Sequence, residues 1–413
     1  MIIERKKYMQ QLVQSKHNGL VKIITGIRRC GKSFLLFNLF KSQLEKEGID
    51  KEHIIEMAFD DFANREYRDP EKFYQYVKAQ IKDGRMYYVL LDEVQMMDQF
   101  EDVLNGLLHI PNVDVYVTGS NAKFLSKDII TEFRGRGYQI HVSPLSFSEF
   151  MTTYNGSKEN GWIEYLQYGG LPPVVLQPND EEKIKFLKDL WQETYLIDIF
   201  NRNHIKNNAE LEELLCMLAS GIGGLINPQK LSNTFKTNKN VSISPATLKS
   251  YISYCSDAFL IEEANRYDVK GRKYIGTPMK YYFADLGLRN ALLNFRQVEK
   301  THLMENAIYS ELRRQGFNVD VGVVTVNGKD ENGSSYRKQL EVDFVCNKGS
   351  RRCYIQSALS LPSQEKIDQE TNSLRRLDDG FERIVIVGDH MSCNHDDNGI
   401  LFMSIYDFMT KEL

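Results

Sequence analysis

Near the start of the chain an apolar stretch runs into a glycine loop and out again into a helical pattern. Val21, Ile23 and Ile24 precede Gly26-Ile27-Arg28-Arg29-Cys30-Gly31-Lys32-Ser33, and Phe34, Leu35, Leu36, Phe37, Leu39 and Phe40 follow it. The loop fits G-x-x-x-x-G-K-[ST], with a strand before and a helix after, the flanks a chance glycine turn would lack. Such a unit lets consecutive backbone N–H groups, here from Gly26 to Phe34, wrap a phosphate chain. Lys32 is placed to reach the β- and γ-phosphates and Ser33 to ligate Mg²⁺. Candidate binding residues are therefore Gly26, Ile27, Arg28, Arg29, Cys30, Gly31, Lys32, Ser33 and Phe34.

Strand-like segments recur at 21–25, 54–59, 86–91, 113–118 and 137–142, separated in part by helical patterns at 33–47, 71–81 and 100–109. That alternation predicts a parallel α/β sheet with helices on both faces and ligands at the carboxyl ends of its strands. Tyr87-Tyr88-Val89-Leu90-Leu91 ends in Asp92-Glu93. A buried strand of this kind delivers two carboxylates to the nucleotide edge, Asp92 for Mg²⁺ and Glu93 as general base toward water. The next strand ends in Thr118-Gly119-Ser120-Asn121, so Ser120 and Asn121 are candidates to orient that water; a plain Gly-Ser-Asn turn is the competing reading. Phe133-Arg134-Gly135-Arg136-Gly137 offers Arg134 and Arg136 as an arginine that stabilises γ-phosphate charge, in cis or from a neighbouring subunit. Structural pairing with nearby acids explains them equally well.

The series GIRRCGKS, LLDEVQ, VTGSNA, FRGRG and PLSFSEF resembles the bacterial and archaeal AAA-type ATPases of the AAA domain family numbered fourteen, which usually carry a C-terminal domain of unknown function. The likeness continues through Tyr168-Gly169-Gly170-Leu171-Pro172 and Glu341-Val342-Asp343-Phe344-Val345. It implies ATP as the nucleotide, and a P-loop NTPase sheet of the additional-strand, catalytic-glutamate type with order 5-1-4-3-2. That order would put the Thr118 strand between those of Lys32 and Asp92.

The chain has 413 residues, too many for one core, so several domains are expected. We expect an ATPase domain at 1–150 and a helical linker or lid bundle at 151–225, where Leu187, Leu190, Trp191, Ile199, Leu211, Leu214, Leu215 and Leu218 recur at helical spacing. Residues 226–295 read as a winged helix-turn-helix: a short helix, then Ser244 as cap and Pro245 opening a second, then a two-stranded wing with Lys270, Arg272 and Lys273 between its strands. This makes DNA or RNA a candidate partner, with a protein partner or a second copy of the chain as the alternatives. Residues 296–413 resemble an α/β restriction-endonuclease-like domain. In its active members metal is held by a helix Glu, a strand Asp and a following Glu-x-Lys. Glu305 and Asp343 match that set, but Gln356 and Ala358 stand where Glu and Lys belong. A neutral amide supplies no anionic charge to a divalent cation, so this site is expected to be degenerate. His390, Cys393, His395, Asp396 and Asp397 crowd one short stretch without a second ligand pair and read as a polar hairpin.

A net charge of −4 gives no global basic footprint. The six cysteines are scattered without a C-x-x-C pair, and no apolar run reaches the ~18–20 residues of a membrane helix. The expectation is a cytoplasmic, Mg²⁺-dependent ATPase whose nucleotide state controls its C-terminal module. The alternatives are a nucleotide-gated interaction or signalling protein with negligible turnover and, disfavoured by Gln356 and Ala358, an active nuclease.

Overall fold

The computed structural model describes residues 2–119, 135–203, 205, 208–239, 241–329 and 335–413. The chain divides into two compact units, Met1–Pro144 with Asp257–Phe259, and Leu145–Ser256 with Leu260–Leu413.

In the first unit β1 (Val21–Thr25), β2 (Ile54–Ala58), β3 (Tyr87–Asp92), β4 (Val113–Thr118) and β5 (Gly137–His141) form a parallel sheet of order β2-β3-β4-β1-β5. This is the expected order read from its other edge. β1, β3 and β4 are buried along their whole length, which is why they read as near-continuous apolar runs. Period-two alternation sorts their side chains between the faces. Val113, Val115 and Val117 join Phe73, Val77, Phe100, Leu104 and Leu107 in one core, on which the helices Pro70–Gln80 and Phe100–Leu107 pack. On the opposite face Tyr116 meets Phe40, with ring centroids 4.6 Å apart. The helix after the glycine loop runs Lys32–Phe34, widens to a π-helix over Leu35–Phe40 and closes as Lys41–Lys46. The expected helix at 71–81 starts one residue earlier because Asp69 caps it, accepting from Lys72 N at 3.0 Å, and Pro70 takes the first turn.

The second unit opens with a capping box: Ser146 accepts from Glu149 N (3.2 Å) while the Glu149 carboxylate accepts from Ser146 N (2.9 Å). Helices Lys158–Tyr168, Asp180–Leu190 and Asn208–Ser220 follow, with Leu187, Leu190, Trp191, Leu211, Leu214, Leu215 and Leu218 buried as their spacing predicted. Pro228–Lys239 and Pro245–Asp257 form the expected helix pair, and Ser244 caps the second by accepting from Thr247 N at 3.0 Å.

The hairpin read as a two-stranded wing is part of a larger sheet. Strands β6 (Ile261–Asp268) and β7 (Lys273–Phe283) pair with each other, and β6 also pairs in parallel with β8 (Asn318–Lys329) through Arg266–Val321 to Asp268–Val323. They thereby close one side of an eight-stranded sheet, β12-β13-β11-β10-β9-β8-β6-β7. Its other members are β9 (Ser335–Lys348), β10 (Arg351–Ala358), β11 (Glu382–Val387), β12 (Asn394–His395) and β13 (Leu401–Ser404). The physical reason is edge satisfaction: a two-stranded ribbon leaves a row of unpaired N–H and C=O groups, and β8 covers them. The described residues thus join the expected wing to the C-terminal sheet. The side chain of Asn306, on the helix Lys300–Arg314, then ties that helix to β7 by accepting from Phe283 N (2.7 Å) and donating to Phe283 O (2.8 Å).

Candidate nucleotide site

The glycine loop leaves the carboxyl end of β1 and turns back into its helix. Gly26 takes φ 144° and Gly31 φ 99°. At Gly26 a Cβ would lie 2.2 Å from the Val142 carbonyl oxygen, so only glycine lets the loop pass that backbone. Ile27 and Cys30 are buried beneath the loop. Lys32 is buried too, and its ammonium donates to the carbonyls of Gly26 and Ile27, both at 3.0 Å. The loop's lysine is therefore held over the loop's own backbone, where a phosphate would offer it stronger, charge-assisted acceptors.

The acidic pair arrives from two strands away. Asp92 ends β3 and is buried, and Thr118, at the end of the intervening β4, donates its hydroxyl to the Asp92 carboxylate. The Ser33 side chain also faces Asp92. Burial pushes the Asp92 carboxyl above its ordinary range, with the nearby Glu93 and Asp60 charges adding to the rise; the hydrogen bond from Thr118 and the Ser33 side chain oppose it. Glu93 N donates to the Thr118 hydroxyl at 3.2 Å, Glu93 itself adopts the left-handed conformation (φ 49°), and Gln95 donates to its carboxylate. Thr118 thus connects the strand-end acids, a role its sequence did not signal because threonine is an ordinary strand residue.

A hydroxyl and a buried, destabilised carboxylate side by side are hard oxygen donors that a small divalent cation would relieve, so Ser33 and Asp92 fit Mg²⁺. One consequence is testable on the nucleotide-free protein. An acid held above its unfolded value by burial costs stability as pH rises through its folded-state pKa, since the unfolded chain ionises more readily. Asp92→Asn is therefore expected to raise the Tm of the first unit at neutral pH, by about 2–4 °C for a gain on the order of 1 kcal/mol, and to lose that advantage in acid. Scanning calorimetry at the two pH values checks this.

Sequence reading also missed Arg5. Its backbone is left-handed (φ 49°), its guanidinium donates to Cys30 O (3.5 Å) and Ser143 O (2.5 Å), and it sits 4.8 Å over the Tyr8 ring. It braces the loop from beneath. Ser120, Asn121 and Arg134 lie outside the described residues. Arg136 lies within the described residues. Its carbonyl accepts from Val21 N at 2.9 Å, at the amino end of β1 and β5, whereas the loop departs from the carboxyl end about 16 Å along the strand. What remains open to Arg136 is a neighbouring subunit's site.

Residues 18–151 match the AAA domain, and residues 159–299 match a domain of unknown function, DUF8612. An uncharacterized protein of Haemophilus influenzae is 31% identical over 416 residues, spanning 99% of both chains. The chain belongs to the AAA-domain family. A second relative, an uncharacterized protein of Methanocaldococcus jannaschii, is 27% identical over 398 residues, an alignment covering 89% of this chain and 84% of the relative. Among solved structures, the Orc1 protein of Aeropyrum pernix in complex with DNA aligns over 71% of this chain and 93% of its own, at 11% identity and TM-score 0.30. A DNA polymerase III gamma-subunit-related protein of Thermotoga maritima aligns over 61% and 99%, at 13% identity and TM-score 0.27. In this AAA-family chain the P-loop fold is that of a nucleotide-binding domain, and among the described residues no helix is long and apolar enough to cross a membrane.

Proposed function

We propose that this chain binds ATP with Mg²⁺, hydrolyses it to ADP and phosphate, and uses the nucleotide state to control its C-terminal module. The observation that supports this best is the convergence of Lys32, Ser33, Asp92, Glu93 and Thr118 at the carboxyl edge of one sheet. Lys32 binds the β/γ-phosphates, and Ser33 and Asp92 hold the cation, which neutralises phosphate charge when bound. Glu93 takes the proton of the attacking water, and Ser120 or Asn121 orients that water against the γ-phosphate. Arg134 in cis, or Arg134 or Arg136 from a second copy, supplies the arginine. The chain works in the cytoplasm, in keeping with six free thiols.

The test is direct. Lys32→Ala removes a charge-assisted contact and is expected to weaken ATP binding about 10–100-fold, with phosphate release lost in parallel. Unchanged binding and turnover would end this reading.

A second reading, a nucleotide-gated interaction protein with negligible turnover, is favoured by one contact: Gln95 already engages the Glu93 carboxylate. Turnover measured against protein concentration, with and without DNA or RNA, separates the two. Nucleic-acid stimulation supports recognition through the helix pair Pro228–Lys239 and Pro245–Asp257, and stimulation by concentration alone supports an arginine supplied in trans. The restriction-endonuclease-like reading of the C-terminal part remains a non-cleaving one, since Gln356 turns its amide to Asp343 N (3.4 Å) and to the Glu370 carboxylate (3.5 Å).

A further inference from the structure

The helix Lys300–Arg314 and strand β9 bring three carboxylates together, those of Glu305, Glu341 and Asp343, two of them from the set expected to be a degenerate metal site. A restriction-endonuclease-like site implies a divalent cation here. The residues present do not fit one. Among the described residues, no group of three or more His, Cys, Asp or Glu is arranged to hold a metal ion.

A different cation already sits among them. Lys280, from β7, is 2% exposed and places its ammonium 2.9 Å from Glu305, 2.7 Å from Glu341 and 4.0 Å from Asp343. Tyr282 donates its hydroxyl to the same Glu305 oxygen at 2.7 Å, and Ser357 N donates to Asp343 at 2.8 Å. An ammonium offers three donors, and here three carboxylates surround it. Burial works to lower the Lys280 pKa, yet the surrounding Glu305, Asp343 and Glu341 charges hold it above the ordinary lysine range. Burial likewise lifts Asp343, to about 8, with the Glu305 charge adding to the rise. A cation placed among these three carboxylates offsets their mutual repulsion.

We infer that Lys280 is the resident cation of this carboxylate cluster: its ammonium occupies the position a divalent metal would take, and the C-terminal unit binds no metal there. This explains how the unit keeps Glu305 and Asp343 buried although Gln356 and Ala358 have replaced the remaining metal-site residues. The inference is independent of the nucleotide site.

The experiment uses the full chain without nucleotide, every form (the one wild type at the cluster included) carrying Asp92→Asn so that the Ser33–Asp92 site does not add a cation, and follows Mn²⁺ binding by electron paramagnetic resonance alongside Tm. Wild type is expected to bind no Mn²⁺ at the cluster and to unfold at the same Tm in Mn²⁺ and in chelator. Lys280→Met leaves the carboxylates uncompensated, so its Tm falls on the order of 10 °C, and added Mn²⁺ binds and restores part of the loss. Adding Asp343→Asn to Lys280→Met abolishes that binding. Mn²⁺ bound by wild type and lost in Asp343→Asn alone would overturn the inference, and this arm stands even where Lys280→Met fails to fold. A folded Lys280→Met that binds no Mn²⁺ and keeps its Tm would overturn it as well.

Discussion

Glu93→Gln is expected to bind ATP as tightly as wild type and to release phosphate about 10²–10⁴ times more slowly, the range for loss of a general base. The substitution keeps the shape of the side chain and its contact with Gln95 while removing the capacity to accept a proton. Its backbone explains why the effect should be confined to turnover. A non-glycine residue at φ 49° is strained by roughly 1–3 kcal/mol and persists only where its surroundings impose it. Here the imposing contact is the bond from Glu93 N to the Thr118 hydroxyl at 3.2 Å, which does not involve the carboxylate. Equilibrium nucleotide binding and steady-state phosphate release, measured on one preparation, separate the two properties. Wild-type turnover by the variant would take the base role from Glu93.

The second large effect concerns stability, in the other unit. Asp285→Ala is expected to destabilise it by about 3–5 kcal/mol, a Tm loss on the order of 10 °C, because buried donors left without an acceptor cost about 1–3 kcal/mol each. Asp285 is buried and accepts from Gly170 N at 2.8 Å and Leu288 N at 3.0 Å. Two glycines make room for this. At Gly169 (φ 74°) a Cβ would meet the Asp285 carboxylate at 2.3 Å, and at Gly170 it would meet the Leu145 carbonyl oxygen at 2.3 Å. Neighbouring Asn290 donates to the carbonyls of Leu166 and Gln167, both at 2.9 Å, so residues 285–290 pin the end of the helix Lys158–Tyr168. Scanning calorimetry of Asp285→Ala checks the size of the effect; a Tm within 2–3 °C of wild type, about what 1 kcal/mol is worth, would show that the turn does not depend on this carboxylate.

These two cases show what the sequence made legible. The strand, glycine loop and helix could be read because each is a local pattern of apolar spacing and backbone need, and Asp92-Glu93 could be read because a strand end fixes where its last side chains emerge. Gly169-Gly170 was legible as a turn, but its reason, Asp285, lies far along the chain and leaves no local trace. The same limit hid the pairing of β6 with β8 and the arrival of Lys280 among Glu305, Glu341 and Asp343. Each depends on strand partners that only the folded sheet selects. Thr118 escaped notice for another cause, since its hydroxyl matters only once β4 lies between β1 and β3.

The central claim is that the loop and the acids of β3 form a hydrolytic site rather than a nucleotide sensor. Release of inorganic phosphate from ATP by the wild-type chain, followed across protein concentration with Mg²⁺ and with and without nucleic acid, tests it most directly. Mg²⁺-dependent release that rises with enzyme and is absent without the cation is the expected result. ATP bound tightly, with no phosphate above background under any of these conditions, would contradict it.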